Sequence, residues 1–384
     1  MKGIVTWGGW GGIIAAGVEL TQMLTRFYID NFRCFVKFDY RPARTQLILG
    51  ANGSGKSSLI EALLFLRHFA VEGVSVYDSP LLDQRTRWLG QSDLTFELEA
   101  ALDDGHYVYR LEIEPLSLRP RVKSESIRLE GKPILEFTAG KVQFYDDSYR
   151  PLFTSRVDWY RSALATVPED MVKLWRFRHW LRGLVCLRIN PFAMEPLSNA
   201  PEPNPSFDLS NIASWYRHLD QFSEQKDALT ASLREALDGF VNFQLLPAGG
   251  ARALVAQFTD PAGKVAPSVL NELSEGQRCL ICLYAILHFV LAQGNAVIVD
   301  EPDNFISLRE IQAWLMAAED AVEDSRGQLL IISHHPEIIN QWATSGGVRF
   351  VRDGIGPVRV QDFHYESDYG LEPAELVARG WENE

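Results

Sequence analysis

Apolar and polar positions first settle into a strand rhythm at Arg26. Runs at 27–30, 35–40 and 45–49 read as three strands, and the third stops at a Gly-rich turn. Residues 57–69 then take helical spacing, with Leu59, Leu63 and Leu66 on one face, and 71–92 read as a loop. Strict alternation returns at Leu94, Phe96, Leu98 and Ala100, set against Thr95, Glu97 and Glu99, and again at Tyr107, Tyr109, Leu111 and Ile113. A helix is expected over 170–184, with Met171, Leu174, Phe177, Leu181 and Leu184 on one side and Lys173, Arg176, His179 and Arg182 on another. Such a basic face is ordinarily solvated, with contact to an acidic partner or nucleic acid as the minority alternative.

Pro196, Pro201, Pro203 and Pro205 mark 195–206 as a connecting loop. Helices follow at 210–222 and 224–238, then strands at 241–246 and 254–258. The last third is a second α/β segment: a helix from Ser274, a buried strand at 296–299, a helix over 308–322 and a strand at 328–332. There is no internal repeat and no long heptad tract.

Composition bounds the function. The 384 residues are 46% hydrophobic and 23% charged, an ordinary globular balance. Acidic residues outnumber basic ones, 50 to 37, for a net charge of −13, which weighs against a broad nucleic-acid surface. Four cysteines (Cys34, Cys186, Cys279, Cys282) form no disulfide framework in a chain this long and fit reduced thiols in the cytoplasm. Cys279 and Cys282 have CxxC spacing but lie in an apolar stretch, which points to core packing rather than metal. No run reaches the ~18 consecutive apolar residues of a membrane span. Residues 1–22, rich in Gly and Trp, lack the organisation of a signal peptide and read as an unstructured extension, with Met23 opening the folded part.

The chemistry begins with Gly50-Ala-Asn-Gly-Ser-Gly55-Lys56-Ser57, which fits G-x-x-x-x-G-K-[ST] between a strand and a helix. Its glycines let backbone N–H groups turn inward around phosphate oxygens, and the helix N-terminus adds to the field. Lys56 is expected to reach the β- and γ-phosphates, and the Ser57 hydroxyl to ligate Mg²⁺. Asn295-Ala-Val-Ile-Val-Asp300-Glu301 is a buried strand ending in two carboxylates, where α/β sheets hold their ligands. Asp300 is expected to hold Mg²⁺ through water and Glu301 to polarise the attacking water. Leu273-Ser-Glu-Gly-Gln-Arg278 places Ser274 and Gly276 at a helix N-terminus suited to a γ-phosphate, and His334 ends a strand where a phosphate oxygen could be sensed.

The order phosphate loop, Ser-x-Gly-Gln, Asp-Glu, His resembles the ABC-type P-loop ATPases, most closely the soluble branch of RecF, SMC-like and OLD-type proteins. Asn31-Phe-Arg33 is similar to that branch's opening, residues 50–58 to its Walker A, 273–278 to its signature, 297–301 to its Walker B and Asp303 to its D-loop. The stretches from Leu187 to Pro191 and from Leu209 to Trp215 resemble the mid-region of standalone ATPases of the RecF and OLD type. The resemblance implies an α/β P-loop NTPase head with a mixed β-sheet lobe and a helical insertion. Its domain would run over 23–365, with a Walker A lobe at 23–190, an insertion at 191–265, a signature and Walker B lobe at 266–365, and a tail at 366–384.

It further implies ATP with Mg²⁺ as cofactors. ATP would be held by Arg33, Asn52, Gly53, Ser54, Gly55, Lys56, Ser57 and Ser58, and the metal by Ser57 and Asp300. Glu301, His334 and Lys56 would be catalytic. Two copies would join head to tail on ATP, with Ser274, Gly276 and Asp303 acting in trans. The chain departs from the pattern at Glu275, where the family often has Gly, and in its Q-loop glutamine, for which Gln91 is the candidate.

Too few residues follow His334 for an OLD-type nuclease, so a nuclease or other effector would be a separate protein. The leading function is thus an ATP-hydrolysing dimerising switch in DNA repair or anti-phage defence, with DNA contact left open. The alternatives are the energising subunit of a membrane transporter, from which the wide spacing of Lys56 and Ser274 departs, and a nucleotide-sensing scaffold that does not hydrolyse.

Overall fold

The computed structural model describes residues 22–78, 84–89, 93–114, 120–365 and 370–380. The extension expected over 1–22 lies outside them except for Gln22, as do Gln91, Arg119 and parts of the 366–384 tail. Strands β1 (Met23–Asp30), β2 (Phe38–Tyr40) and β3 (Thr45–Leu49) lead into α1 (Lys56–Arg67). An antiparallel series follows: β4 (Leu94–Leu102), β5 (Gly105–Glu114), β6 (Arg121–Leu129), β7 (Lys132–Thr138), β8 (Lys141–Tyr145) and β9 (Pro151–Arg156). The middle holds α2 (Val172–Gly183), β10 (Val185–Leu187), β11 (Leu197–Ser198), α3 (Ile212–Leu219), α4 (Ser223–Ala236), β12 (Phe240–Ala248), β13 (Ala251–Thr259) and β14 (Val265–Val269). The last third comprises α5 (Glu275–Phe289), β15 (Ala296–Asp300), α6 (Leu308–Ser325), β16 (Gln328–Ile332), α7 (Pro336–Gly346), β17 (Gly347–Val351), β18 (Arg359–Asp362) and α8 (Pro373–Arg379).

The centre is a six-stranded sheet, β10-β15-β16-β3-β17-β18, parallel except for its β17–β18 edge. Its inner strands β3, β15 and β16 are mostly apolar because both their faces are covered. Leu47, Leu49, Val297, Val299, Leu329 and Ile331 face one core, with α3 to α7. Ile48, Ile298, Leu330 and Ile332 face the other, with α1, α2 and the antiparallel eight-stranded sheet β2-β1-β4-β5-β6-β7-β8-β9. Buried Gln328 joins the two sheets: it accepts from the Leu24 N–H at 2.9 Å and donates to the carbonyls of Leu24 (3.0 Å) and Ala43 (2.9 Å). Strand β13 pairs with β11, β12 and β14 in a smaller third sheet.

Three expectations change. The strand expected at 35–40 shortens to Phe38–Tyr40, because Arg33 and Lys37 take left-handed backbone and Asp30 accepts from the Lys37 N–H at 2.9 Å, holding the chain in a turn. The helix expected to stop at 69 continues past Arg67 as a π-helical turn, His68–Glu72, that ends at Gly73 with φ 70°. Two of the basic side chains of α2 are engaged within the protein: Arg176 pairs with Asp104 at 2.9 Å, and Lys173 donates to the Asp147 carbonyl at 2.6 Å while lying 3.8 Å from the Tyr149 ring centre. On β6, Arg121 pairs with Glu114 at 2.8 Å and Lys123 with Asp93 at 2.5 Å.

The four cysteines are free and buried. The segment Glu275–Gln293 has the length and apolarity of a membrane span, and 72% of it is buried inside the protein as a core helix.

Candidate functional site

The glycine turn is shaped by what surrounds it. Gly50, Gly53 and Gly55 have φ of 148°, 80° and 101°, values an L side chain resists. A Cβ on Gly55 would also meet Cys34 Sγ and Val358 Cγ2 at 3.0 Å. No carboxylate occupies the first turn of α1, so its dipole faces the cavity uncompensated. The Lys56 ammonium donates to the Gly50 and Ala51 carbonyls, the latter at 3.1 Å. Burial pulls its pKa down, against the pull of Asp300 and Glu301. The buried Ser54 hydroxyl has no hydrogen-bond partner among the described residues.

Opposite the turn, β15 delivers Asp300, only 2% exposed. Glu301 follows in left-handed backbone (φ 53°), and its carboxylate accepts from Asn304 Nδ2 at 2.9 Å. Burial raises the Asp300 pKa, opposed by Arg188 and Lys56 and reinforced by Glu301. His334 stands just beyond β16, its pKa lowered by burial and by Lys56 against Glu301, Asp303 and Asp300. The imidazole is therefore held neutral near pH 7.

These groups line one cavity of about 750 Å³: Lys56, Ser57, Asp300, Glu301 and His334, with Arg33, Asn52, Gly53, Ser54, Gly55 and Ser58. Arg33 is also committed to Glu61 and, at 3.1 Å, to Gln84 Oε1. Further lining residues escaped the sequence reading, among them Arg85, Arg87, Trp88, Arg188 and Arg352. The Arg352 guanidinium lies 5.8 Å from the Trp88 ring centre and donates to the Gly53 carbonyl at 3.2 Å. Arg188 pairs with Asp300. Arginine and lysine outnumber carboxylates around this cavity, which suits a polyanion.

The signature elements stand elsewhere. Ser274 caps α5 in a reciprocal box: its Oγ accepts from the Gln277 N–H at 3.2 Å, and Gln277 Oε1 accepts from the Ser274 N–H at 3.0 Å. Glu275 is drawn toward Arg278 at 3.5 Å. A Cβ on Gly276 would lie 2.7 Å from the Phe305 carbonyl oxygen. Asp303 accepts from the Ser333 hydroxyl at 2.6 Å. Ser274, Gly276 and Asp303 do not line the cavity.

The glycine cradle, the unpartnered Ser54 hydroxyl and the oxygen donors of Ser57 and Asp300 fit a nucleoside triphosphate with a hard divalent cation. Among the described residues no group of three or more His, Cys, Asp and Glu side chains could hold a metal alone, so water and phosphate oxygens would complete its shell.

Among solved structures, the chain is similar to an SMC head bound to the C-winged helix domain of ScpA, at 14% identity and TM-score 0.57, over 91% of this chain and 99% of that one. It is also similar to an SMC head domain with a coiled coil and joint derived from Pyrococcus yayanosii, at 10% identity and TM-score 0.50, over 94% and 100%. At these identities the likeness is one of fold, an ABC-type P-loop ATPase head. No curated protein matches the sequence. Residues 47–340, most of the chain and all of the cavity's glycine turn and acidic strand, match the family described as "AAA domain, putative AbiEii toxin, Type IV TA system", and the chain belongs to that family of P-loop ATPases.

Proposed function

We propose that the protein is an ATP-hydrolysing switch that pairs with a second copy of itself around bound nucleotide and thereby controls a separate effector. The observation that carries this is a division of labour in the geometry. Lys56, Ser57, Asp300, Glu301 and His334 come together in one cavity, while Ser274 and Gly276 stand outside it. A second copy is the natural source of the missing side, since a capped helix N-terminus presents N–H donors to a phosphate.

In this reading the glycine turn wraps the phosphates and the nucleobase lies against Trp88. The anionic phosphates favour the charged form of Lys56, which burial disfavours. The Ser57 hydroxyl and, through water, the Asp300 carboxylate would hold Mg²⁺, which when bound would neutralise charge on the phosphates. Glu301 takes a proton from the attacking water, and His334 donates a hydrogen bond toward the departing γ-phosphate. The four buried free cysteines suit a reducing cytoplasm. The family's description as a toxin of a Type IV TA system supports a defence setting over a membrane transporter.

The test is Glu301→Gln with ATP, followed by light scattering. The expected result is a dimer that persists with ATP and is absent with ADP. A variant that stays monomeric and hydrolyses ATP at the wild-type rate overturns the reading.

A further inference from the structure

Parallel pairing of β10 with β15 sets Leu187 beside Val299, so the next position on each strand is Arg188 beside Asp300. The Arg188 guanidinium forms an ion pair with Asp300, and its Nη2 also lies 3.4 Å from Ser57 Oγ. One cationic head therefore bridges the two side chains that the proposed function assigns to Mg²⁺. The Asp300 side chain is 3% exposed, but that of Arg188 is 45% exposed, so the arginine has room to turn into the cavity.

A guanidinium and a divalent cation cannot share this pair of oxygens without strong repulsion. Like charges at such close range repel, and a divalent ion doubles the repulsion a single charge would meet. We propose that Arg188 and the nucleotide-borne metal are alternative partners of Asp300 and Ser57, with the arginine moving onto phosphate oxygens as the metal nucleotide enters. This deepens the ATPase reading above and rests on it.

The exchange couples metal to nucleotide. Free metal would have to expel Arg188 from Asp300 with nothing to receive it. Metal arriving with a triphosphate brings the receiving anion, for which arginine's planar fork is well suited. The move also has a route outward. The Arg188 N–H donates to the Phe207 carbonyl at 2.8 Å, and three residues on, the Pro191 carbonyl accepts from Arg278 at 2.5 Å. Arg278 belongs to α5, four residues beyond its Ser274 cap, so the segment holding Arg188 is tied directly to the helix that would meet the second copy.

The experiment titrates Mn²⁺ into the full-length, nucleotide-free protein and follows binding by electron paramagnetic resonance, alongside fluorescent ATP binding by the wild type with Mg²⁺. Arg188→Ala and Arg188→Gln should each bind Mn²⁺ at least about tenfold more tightly than wild type. The gain should vanish when Asp300→Asn is added. Both single variants binding Mn²⁺ like wild type, or a gain that survives Asp300→Asn, overturns the proposal. If wild type fails to bind ATP with Mg²⁺ at all, the ATPase reading falls instead.

Discussion

Glu301 donates its backbone N–H to the Ile332 carbonyl at 2.7 Å, extending the β15–β16 pairing one residue past Asp300. The residue proposed as base and the strand that ends two residues before His334 are thus joined through the main chain. The Glu301 side chain plays no part in that bond, so chemistry and architecture are separable here. In Glu301→Gln, hydrolysis should fall by about 10²- to 10⁴-fold, the range for loss of a general base. Folding stability should stay within about 0.5 kcal/mol of wild type. Phosphate release and denaturant titration check the two halves.

Gly276 separates the roles of the two copies. Alanine there would drive its Cβ to 2.7 Å from the Phe305 carbonyl oxygen, and Phe305 already holds left-handed backbone at φ 69°. The loop must give way and the helix tip change shape. Since Gly276 does not line the cavity, Gly276→Ala should bind nucleotide like wild type yet lose the ATP-induced dimer. Fluorescent-nucleotide titration and light scattering measure both. A parallel loss of nucleotide binding would mean that Gly276 acts within its own subunit.

Among the described residues Trp88, 41% exposed and attended by Arg352, is the aromatic surface in the cavity available to a base. Base–aromatic stacking contributes about 1–3 kcal/mol. Trp88→Ala should therefore weaken ATP binding by roughly five- to 150-fold at 25 °C. Tripolyphosphate, which has no base, should bind both proteins alike. Calorimetric titration of the two ligands distinguishes a base platform from a general collapse of the cavity.

His288, on the helix that Ser274 caps, links α5 to α4 through Ser232 Oγ at 2.8 Å. Burial lowers its pKa to about 4 from the ordinary 6.5. The folded state therefore binds this proton less readily than the unfolded chain. The associated stability is complete above pH 6.5 and is lost as pH falls through 6.5 towards 4. Across that window wild type should lose more stability than His288→Gln, as read from denaturation midpoints at matched pH. Parallel curves would assign the acid sensitivity to other groups.

What could be read from the chain alone follows from how local each requirement is. The turn at 50–57 was legible because its backbone needs glycine at fixed positions. The buried strands ending at Leu49, Asp300 and Ile332 were legible because both their faces are covered. Arg188 was not, because its meeting with Asp300 depends on β10 lying beside β15, and nothing near Leu187 announces that neighbour. Trp88 and Arg352 likewise meet only through the fold. Strand β9 exposes most of its residues, so its alternation carries no apolar signal to detect.

The two-sided burial of the central sheet has a consequence for chemistry. Val297 and Val299 belong to one core while Ala296 and Ile298 belong to the other, so sliding β15 by a single residue would exchange the two sets. Two mismatched interiors would object before any substrate arrived. The same slip would carry Asp300 away from Ser57 and turn its carboxylate to the wrong side. Correct aim of the acidic group is thus proofread by greasy packing on both flanks, and a deletion within this strand would silence the protein by misfolding it.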